Sequence, residues 1–360
     1  MISELVYLMT RMFSMRRWNN KPTVEHNSEA SNSGFILHVA HLLAMIEILD
    51  GKSVDLKKLL VRGTLKDMPK CILSDISLET KRIIKSMDPD LWQKVYMSSV
   101  DEVLASVPGD WKQMFQDAMV NSRDDSLEGK ILEAADLYAA YVEAEINSRL
   151  FGEYFSVIRD SIENKLKSMQ LHSLKVLLDN LKMREYLTRV RSLLHAVRWN
   201  QHARTVQTTV AGHTLFVVFV ALLIALKNDT CDVLNVMERA LFHDVPEALT
   251  GDIISPTKRR VKGFEDVIEN VESKMVHEVL LPLLPDEIAE HYAPLMLNPF
   301  GGGIEGKITR AGDLVGSMIE CKMEMDNGVK AAVFEQGYNE IKKQLIGMKI
   351  HALDALIKEL

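Results

Sequence analysis

A chain of 360 residues with 47% apolar and 26% charged side chains can bury a sizeable core, which excludes a disordered chain, a collagen-like fibre and a disulfide scaffold. Its net charge of −7 argues against a protein that coats a nucleic acid polymer, while leaving room for a local basic pocket that holds one phosphate. The three cysteines, Cys71, Cys231 and Cys321, are scattered without metal-like spacing, the usage expected of a reducing, cytoplasmic location. The longest strongly apolar stretch, Thr214 to Leu226, has 13 residues, short of the roughly 20 that a bilayer span needs. No membrane partner is therefore expected. Glu4 and Arg11 interrupt the apolar residues at the N-terminus, which does not read as a signal peptide.

In chain order, Ile2, Leu5, Val6, Met9, Met12 and Phe13 fall on one face at helical spacing. Arg17-Trp18-Asn19 follows, then an apolar helical run from Gly34 to Leu49, then Leu65-Lys66-Asp67-Met68-Pro69-Lys70 and Asp75-Ile76-Ser77. Glu128-Gly129-Lys130-Ile131 leads to Asp136-Leu137, and a charged helical stretch near Asn164 to Asn180 reads as a linker. The order then repeats. Val190, Leu193, Leu194 and Val197 share a helical face, followed by Arg198-Trp199-Asn200, the apolar run Thr214 to Leu226, and Phe242-His243-Asp244-Val245-Pro246-Glu247. Asp252-Ile253-Ile254, Glu305-Gly306-Lys307-Ile308 and Asp313-Leu314 complete the second round. Trp18 and Trp199 are 181 residues apart; Asp67 and Asp244, like Asp136 and Asp313, are 177 apart. A nearly constant offset through ordered segments predicts two copies of one domain, 1–180 and 181–360, with a loop-length difference accounting for the four-residue drop. No sustained period-two alternation is present, and breakers such as Pro108-Gly109, Pro282, Pro285 and Asn298-Pro299 stand where helices should end, so the fold class expected is all-α.

The chemistry concentrates in the second copy. His213, His243, Asp244 and Asp313 offer imidazole and carboxylate ligands suited to a borderline or hard divalent cation, and three packed helices can aim them at one ion. His213 should open the helix of the apolar run, His243 and Asp244 should close one that begins near Val233, and Asp313 should lie within one that follows Gly306. Glu247 is four residues after His243, on the same face if the helix is unbroken; Pro246 allows instead a new helix to begin there.

A histidine, then His-Asp, then a distant aspartate resembles the HD superfamily of metal-dependent phosphohydrolases. Arg198-Trp199, His213, the string from His243 through Glu247 to Thr250-Gly251-Asp252, Pro256-Thr257-Lys258 and Ala311-Gly312-Asp313 narrow the resemblance to the HD-domain 5′-deoxynucleotidases. The resemblance implies two tandem HD-domain helical bundles, with His213, His243, Asp244 and Asp313 as ligands of one divalent ion such as cobalt, manganese or magnesium. It further implies Glu247 as catalytic acid, Arg198 as a phosphate contact, Trp199 beside the sugar, where it crowds out a 2′-hydroxyl, and Asp252 near the deoxyribose hydroxyl. Lys258 reads as a second phosphate contact. The reaction implied is release of phosphate from deoxynucleoside 5′-monophosphates. Two features depart from the family pattern: Gly212 stands where a glutamate commonly precedes the first metal histidine, and Gln201 to Thr209 lacks acidic residues. Rival readings are an HD hydrolase of deoxynucleoside triphosphates or cyclic nucleotides, and a nucleotide-sensing module.

In the first copy, Asn32 takes the place of His213, Lys66 that of His243 and Lys70 that of Glu247; His38 and His41 lie nearby in the wrong register. A protonated lysine is not a metal ligand, so this copy reads as degenerate and metal-free, with Lys66 paired to Asp67 or Asp136. It is expected to be either half of an intramolecular pseudo-dimer, further homo-oligomerisation being left open, or a site for a regulatory nucleotide. The Gly301-to-Ile308 segment has the glycines and lysine of a P-loop, but Ile308 replaces the hydroxyl residue and no apolar strand precedes it, so it reads as a glycine-rich helix start.

Overall fold

A computed structural model describes residues 2–74, 76–253, 257 and 260–360; among these the chain is helical, with no strand. It divides into two compact units, Met1–Leu174 and Lys175–Leu360. The first contains α1 (Ile2–Ser14), α2 (Glu29–Leu49), α3 (Leu56–Leu65), α4 (Lys70–Leu73), α5 (Leu78–Met87), α6 (Pro89–Ala105), α7 (Lys112–Val120), α8 (Leu127–Ser148) and α9 (Gly152–Ser168). The division falls within α10 (His172–Asp179), so the stretch read as a linker is the end of α9, a three-residue break and α10. The second unit continues with α11 (Leu181–Arg191), α12 (Val210–Ala225), α13 (Val233–Phe242), α14 (Glu247–Thr250), α15 (Phe264–Met275), α16 (Asp286–Leu297), α17 (Gly303–Asp326), α18 (Ala332–Gly347) and α19 (His351–Glu359).

Each unit is organised around a helix with no polar face. Every residue of α12 is buried, as is every residue of α2 from Glu29 to Glu47. A helix apolar all round belongs at the centre of a core. Helix α2 packs against α3 and α8, and α12 against α13 and α17. By length and composition alone, Glu29–Leu49 would suffice to cross a membrane, but 89% of that apolar window is buried inside the protein.

The duplication is visible atom by atom. Ser28 caps α2 by accepting from the Ser31 amide, and Thr209 caps α12 by accepting from the Gly212 amide. The Asp55 amide donates to Glu128 Oε1 at 3.0 Å, and the Asp232 amide to Glu305 Oε1 at 3.1 Å. Trp18 and Trp199 both adopt left-handed backbone, with φ of 52° and 57°. For a large aromatic residue that conformation costs about 1–3 kcal/mol and persists only where the surroundings impose it. Here Arg17 N–H donates to Asn27 O and Arg198 N–H to Thr208 O, both at 3.0 Å, locking the same turn in each unit.

The four-residue change in offset does not lie in a loop alone, as the sequence suggested. Helix α2 has 21 residues and α12 has 16, while the connection that follows is one residue longer in the second unit. The second helix is thus shorter by about 1.4 turns, and the longer connection restores one of the five lost residues. The glycine-rich segment is a helix entry. Gly302 and Gly303 have φ of 74° and 70°, and Arg239 binds the carbonyls of Asn298, Pro299 and Gly301 at 2.8–3.1 Å.

The glycine of the repeated Glu-Gly-Lys-Ile segment has a steric reason. A Cβ on Gly306 would lie 2.5 Å from the Phe300 carbonyl oxygen, and one on Gly129 would lie 2.2 Å from that of Asp124. Backbone cannot step aside as a side chain can. Gly306→Ala and Gly129→Ala are each expected to destabilise the protein by about 1–3 kcal/mol in urea unfolding. Gly347→Ala, which meets nothing within 4 Å, should be neutral or slightly stabilising.

Candidate functional site

His213 is the fourth residue of α12, in its first turn, with its side chain fully buried. Helix α13 ends at Phe242, His243 is its cap, and the chain turns through Asp244 and Val245 to Pro246, after which Glu247 starts α14. The unbroken helix that would put His243 and Glu247 on one face is therefore absent, and the alternative that Pro246 permits is the one adopted. The Glu247 amide donates to Asp244 O at 3.0 Å, so the turn itself sets the spacing of the two acids. Asp313 lies in the middle of α17, which packs on both α12 and α13.

These helices bring the ligand candidates together. One ligand atom each from His213, His243 and Asp244 lie within 4.8 Å of one another. His243 Nδ1 is 2.8 Å from Ala240 O, a contact that only a protonated Nδ1 can satisfy, which turns Nε2 toward the cluster. That Nε2 lies 3.1 Å from Asp244 Oδ2, and neither atom makes a hydrogen bond. His213 Nε2 is likewise 3.1 Å from Asp313 Oδ1. Donors about 2.0–2.1 Å from a common ion stand roughly 3.0–3.4 Å apart. An imidazole nitrogen and a carboxylate oxygen, both buried and held at that spacing, fit a divalent cation. Asp313 joins the cluster through His213, and its other oxygen accepts from Arg310 at 2.6 Å.

The electrostatics point the same way. Burial and the nearby Arg198 charge press the His213 imidazole down, but hydrogen bonds to Asp313 and Glu320 carry it up, to about 9. Burial pushes the Asp313 carboxyl up, and His213 and Arg310 outweigh that and hold it well below the usual range. The pocket has an excess of carboxylate and draws positive charge onto its imidazole.

Arg198 and Trp199 border this cluster. Arg198 Nε lies 3.2 Å from both oxygens of Glu320, one of its terminal nitrogens donates to Ser317 Oγ at 3.0 Å, and the other is 3.9 Å from Asp244 Oδ2. The Trp199 indole N–H donates to Glu320 Oε2 at 2.7 Å, and its ring packs on Phe334 with centroids 5.6 Å apart. Asp252 is half-buried; burial and the Asp244 charge raise its carboxyl pKa against the pull of Arg198. Glu247, also half-buried, is near enough for its charge to act on Arg198. Lys258 lies outside the described residues, as do Pro256 and Asp75. Sequence reasoning missed Glu320, Ser317, Arg310 and Phe300, whose ring meets His243 edge-on at 6.1 Å. One signal for Glu320 was available: it stands 177 residues after Glu143, the offset of the aspartates.

The corresponding region of the first unit holds no imidazole. Lys66 Nζ pairs with Asp67 and, at 2.9 Å, with Asp136. Lys70 Nζ lies 3.1 Å from both Asp67 and Glu29, Arg17 bridges Glu29 at 3.0 Å and Glu143 at 2.9 Å, and Arg123 reaches Asp136 at 2.5 Å. The eight groups form a chain of alternating sign: Glu143, Arg17, Glu29, Lys70, Asp67, Lys66, Asp136, Arg123.

Burial raises Glu29, Asp67 and Asp136, but Lys70 and Arg17, Lys66 and Lys70, and Arg123 and Lys66, respectively, bring each below its ordinary value. A carboxylate with a depressed folded pKa stabilises fully above its unfolded pKa and loses that contribution as pH falls through the folded value. The first unit should therefore hold its stability at neutral pH and lose it below the ordinary values of 4.5 for Glu29 and 3.8 for the aspartates, as followed by thermal melts across pH. Lys66→Met leaves two buried aspartates short of a cation and should cost about 3–5 kcal/mol in chemical denaturation.

Comparison with known proteins gives the arrangement its relatives. The family model described as 5′-deoxynucleotidase YfbR-like matches residues 4–183 and again 185–360. A 5′-deoxynucleotidase of Vibrio parahaemolyticus is 29% identical over 136 residues, covering 36% of this chain and 70% of the relative. One from Vibrio atlanticus is 27% identical over 162 residues, covering 44% and 82%. Among solved structures, an HD-domain phosphohydrolase from Listeria innocua is 22% identical with a TM-score of 0.46, covering 49% of this chain and 87% of that one. Matched along both halves by one family model, the chain belongs to the 5′-deoxynucleotidase YfbR-like family.

Proposed function

We propose that the second unit, within 181–360, is a metal-dependent phosphomonoesterase that converts deoxynucleoside 5′-monophosphates to deoxynucleoside and phosphate. The observation that carries this reading is the convergence of His213, His243 and Asp244 beside Arg198, in a chain that matches the deoxynucleotidase family twice. The names of the relatives support the choice of a 5′-monophosphate over a triphosphate or a cyclic nucleotide.

His213, His243, Asp244 and Asp313 would hold one divalent ion. Such an ion polarises a phosphoryl oxygen and activates water for attack on phosphorus. Arg198 is buried and pinned by Glu320 and Ser317, so its remaining terminal nitrogen is presented to a phosphate without loss of side-chain freedom. Water oxygen forms the new bond to phosphorus, the bond to the 5′ oxygen breaks, Glu247 supplies the proton that the leaving oxygen takes up, and the proton given up by the attacking water restores Glu247 through solvent. Asp252 accepts from the deoxyribose hydroxyl, and the Trp199 ring lies along the sugar where a 2′-hydroxyl would clash. In the first unit, the Lys66 ammonium stands between Asp67 and Asp136, which supports a metal-free role for it.

A screen of divalent metals against deoxy- and ribonucleoside monophosphates, with phosphate detection, tests this reading. The expected result is free phosphate from deoxy substrates, one ion bound per chain, and a loss of at least about a thousandfold in kcat for His243→Ala and Asp244→Asn. Lys66→Met should keep its turnover at temperatures where it stays folded. Tripolyphosphate or a linear monophosphate as the product would transfer the assignment to the triphosphate or cyclic substrates. Full activity of metal-stripped His243→Ala would remove the metal site altogether.

A further inference from the structure

We infer that Glu320 is the positioning residue of this site, one buried carboxylate that fixes the phosphate-gripping arginine, the sugar-facing tryptophan and a metal-ligand histidine together. The inference rests on the roles proposed above for Arg198, Trp199 and His213. Asp313, Ser317 and Glu320 stand at i, i+4 and i+7 of α17, a stripe on one face of the helix. Glu320 is buried, and its oxygens lie 3.2 Å from Arg198 Nε, 2.7 Å from Trp199 Nε1 and 3.5 Å from His213 Nδ1. A carboxylate has about four acceptor positions on two oxygens, enough for three converging donors.

The first unit serves as an internal control. Glu143 has the same place on α8 and keeps the arginine contact, with Arg17 Nε at 2.9 Å. Its other oxygen takes the Asn27 side-chain amide at 3.2 Å. Among the described residues the buried Trp18 indole N–H has no hydrogen-bond partner, and Asn32 replaces the imidazole. The arginine–glutamate pair thus survives where the ligand set does not, as packing around the strained turn. The indole and imidazole contacts occur only beside the ligand cluster. Glu320 Oε1 lies 3.5 Å from His213 Nδ1, on the side of the ring away from Asp313, the place from which a carboxylate orients a metal-binding histidine. At the indole, it sets the ring plane that faces the sugar.

The test is Glu320→Gln in the full chain, with Trp199→Phe and Glu143→Gln beside it. Mn2+ affinity is read by calorimetry or the free-ion EPR signal, and kcat and KM with deoxyadenosine monophosphate. Glu320→Gln should weaken Mn2+ binding about 10–100-fold, the range for lost partners of ligating histidines, and raise KM with it. Trp199→Phe removes only the indole donor; it should raise KM, and erode the preference over the ribonucleotide, with Mn2+ affinity unchanged. Glu143→Gln should alter none of these. A folded Glu320→Gln with Mn2+ affinity and KM unchanged overturns the inference, and so does an equal shift from Glu143→Gln. If Glu320→Gln does not fold, an unchanged KM and sugar preference in Trp199→Phe overturns it. Should the wild-type enzyme release no phosphate from any deoxynucleotide, the substrate assignment fails, while the Mn2+ titration still decides the role of Glu320.

Discussion

Two aspartates buried where three helices meet must be answered by positive charge, and most of this molecule follows from that constraint. Asp67 and Asp136 in one unit, and Asp244 and Asp313 in the other, are held at equivalent places by the same helices. Burial alone pushes each carboxyl toward protonation, and a neutral acid there would lose its strongest partners. The second unit surrounds its pair with two imidazoles, with Arg310 on Asp313 and Arg198 near Asp244. The first unit brings the compensating charge as Lys66 and Arg123, and extends the compensation outward through Lys70, Glu29, Arg17 and Glu143. Both solutions sit beside the N-terminal turn of a buried central helix flanked by two others, α2 in one unit and α12 in the other.

The Arg-Trp turn shows how much of a site can be architecture. Its left-handed tryptophan and its arginine–glutamate pair are present in both units, so neither feature by itself marks chemistry. What distinguishes the second unit is the set of donors that the glutamate collects beyond the arginine. A duplicated chain permits that subtraction within one molecule: whatever both halves share is needed to fold, and whatever only one half has is a candidate for function.

Much of this was legible from residue order. The helical class, the repeat and a pairing of Lys66 with Asp67 or Asp136 follow from side-chain chemistry at fixed spacing; the structure has the lysine on both aspartates. The lysine pairing in particular needed only the offset and the sign of the charges. Other features were not legible, for physical reasons. Glu320 lies among alternating acids and bases on an amphipathic helix, where a buried carboxylate and a solvated one look alike until the packing is known. The net change in offset gives a length but not its place, so a missing helical turn in α12 was read as a shorter loop. Arg123 comes from a loop whose path no periodicity reports. The separation of His243 from Glu247 turned on Pro246, which allows a helix to end or to start, and only tertiary packing chooses.

The alternating chain of charges in the first unit has an evolutionary consequence. Each link neutralises two neighbours, so changing any single member back toward a ligand-bearing residue strands a buried charge before an ion can be captured. Lys66 would have to become histidine together with Asn32, and Lys70 would have to be replaced without leaving Glu29 and Asp67 in mutual repulsion. The network therefore resists change one residue at a time: a substitution at any inner member leaves two neighbours of like charge to be answered at once.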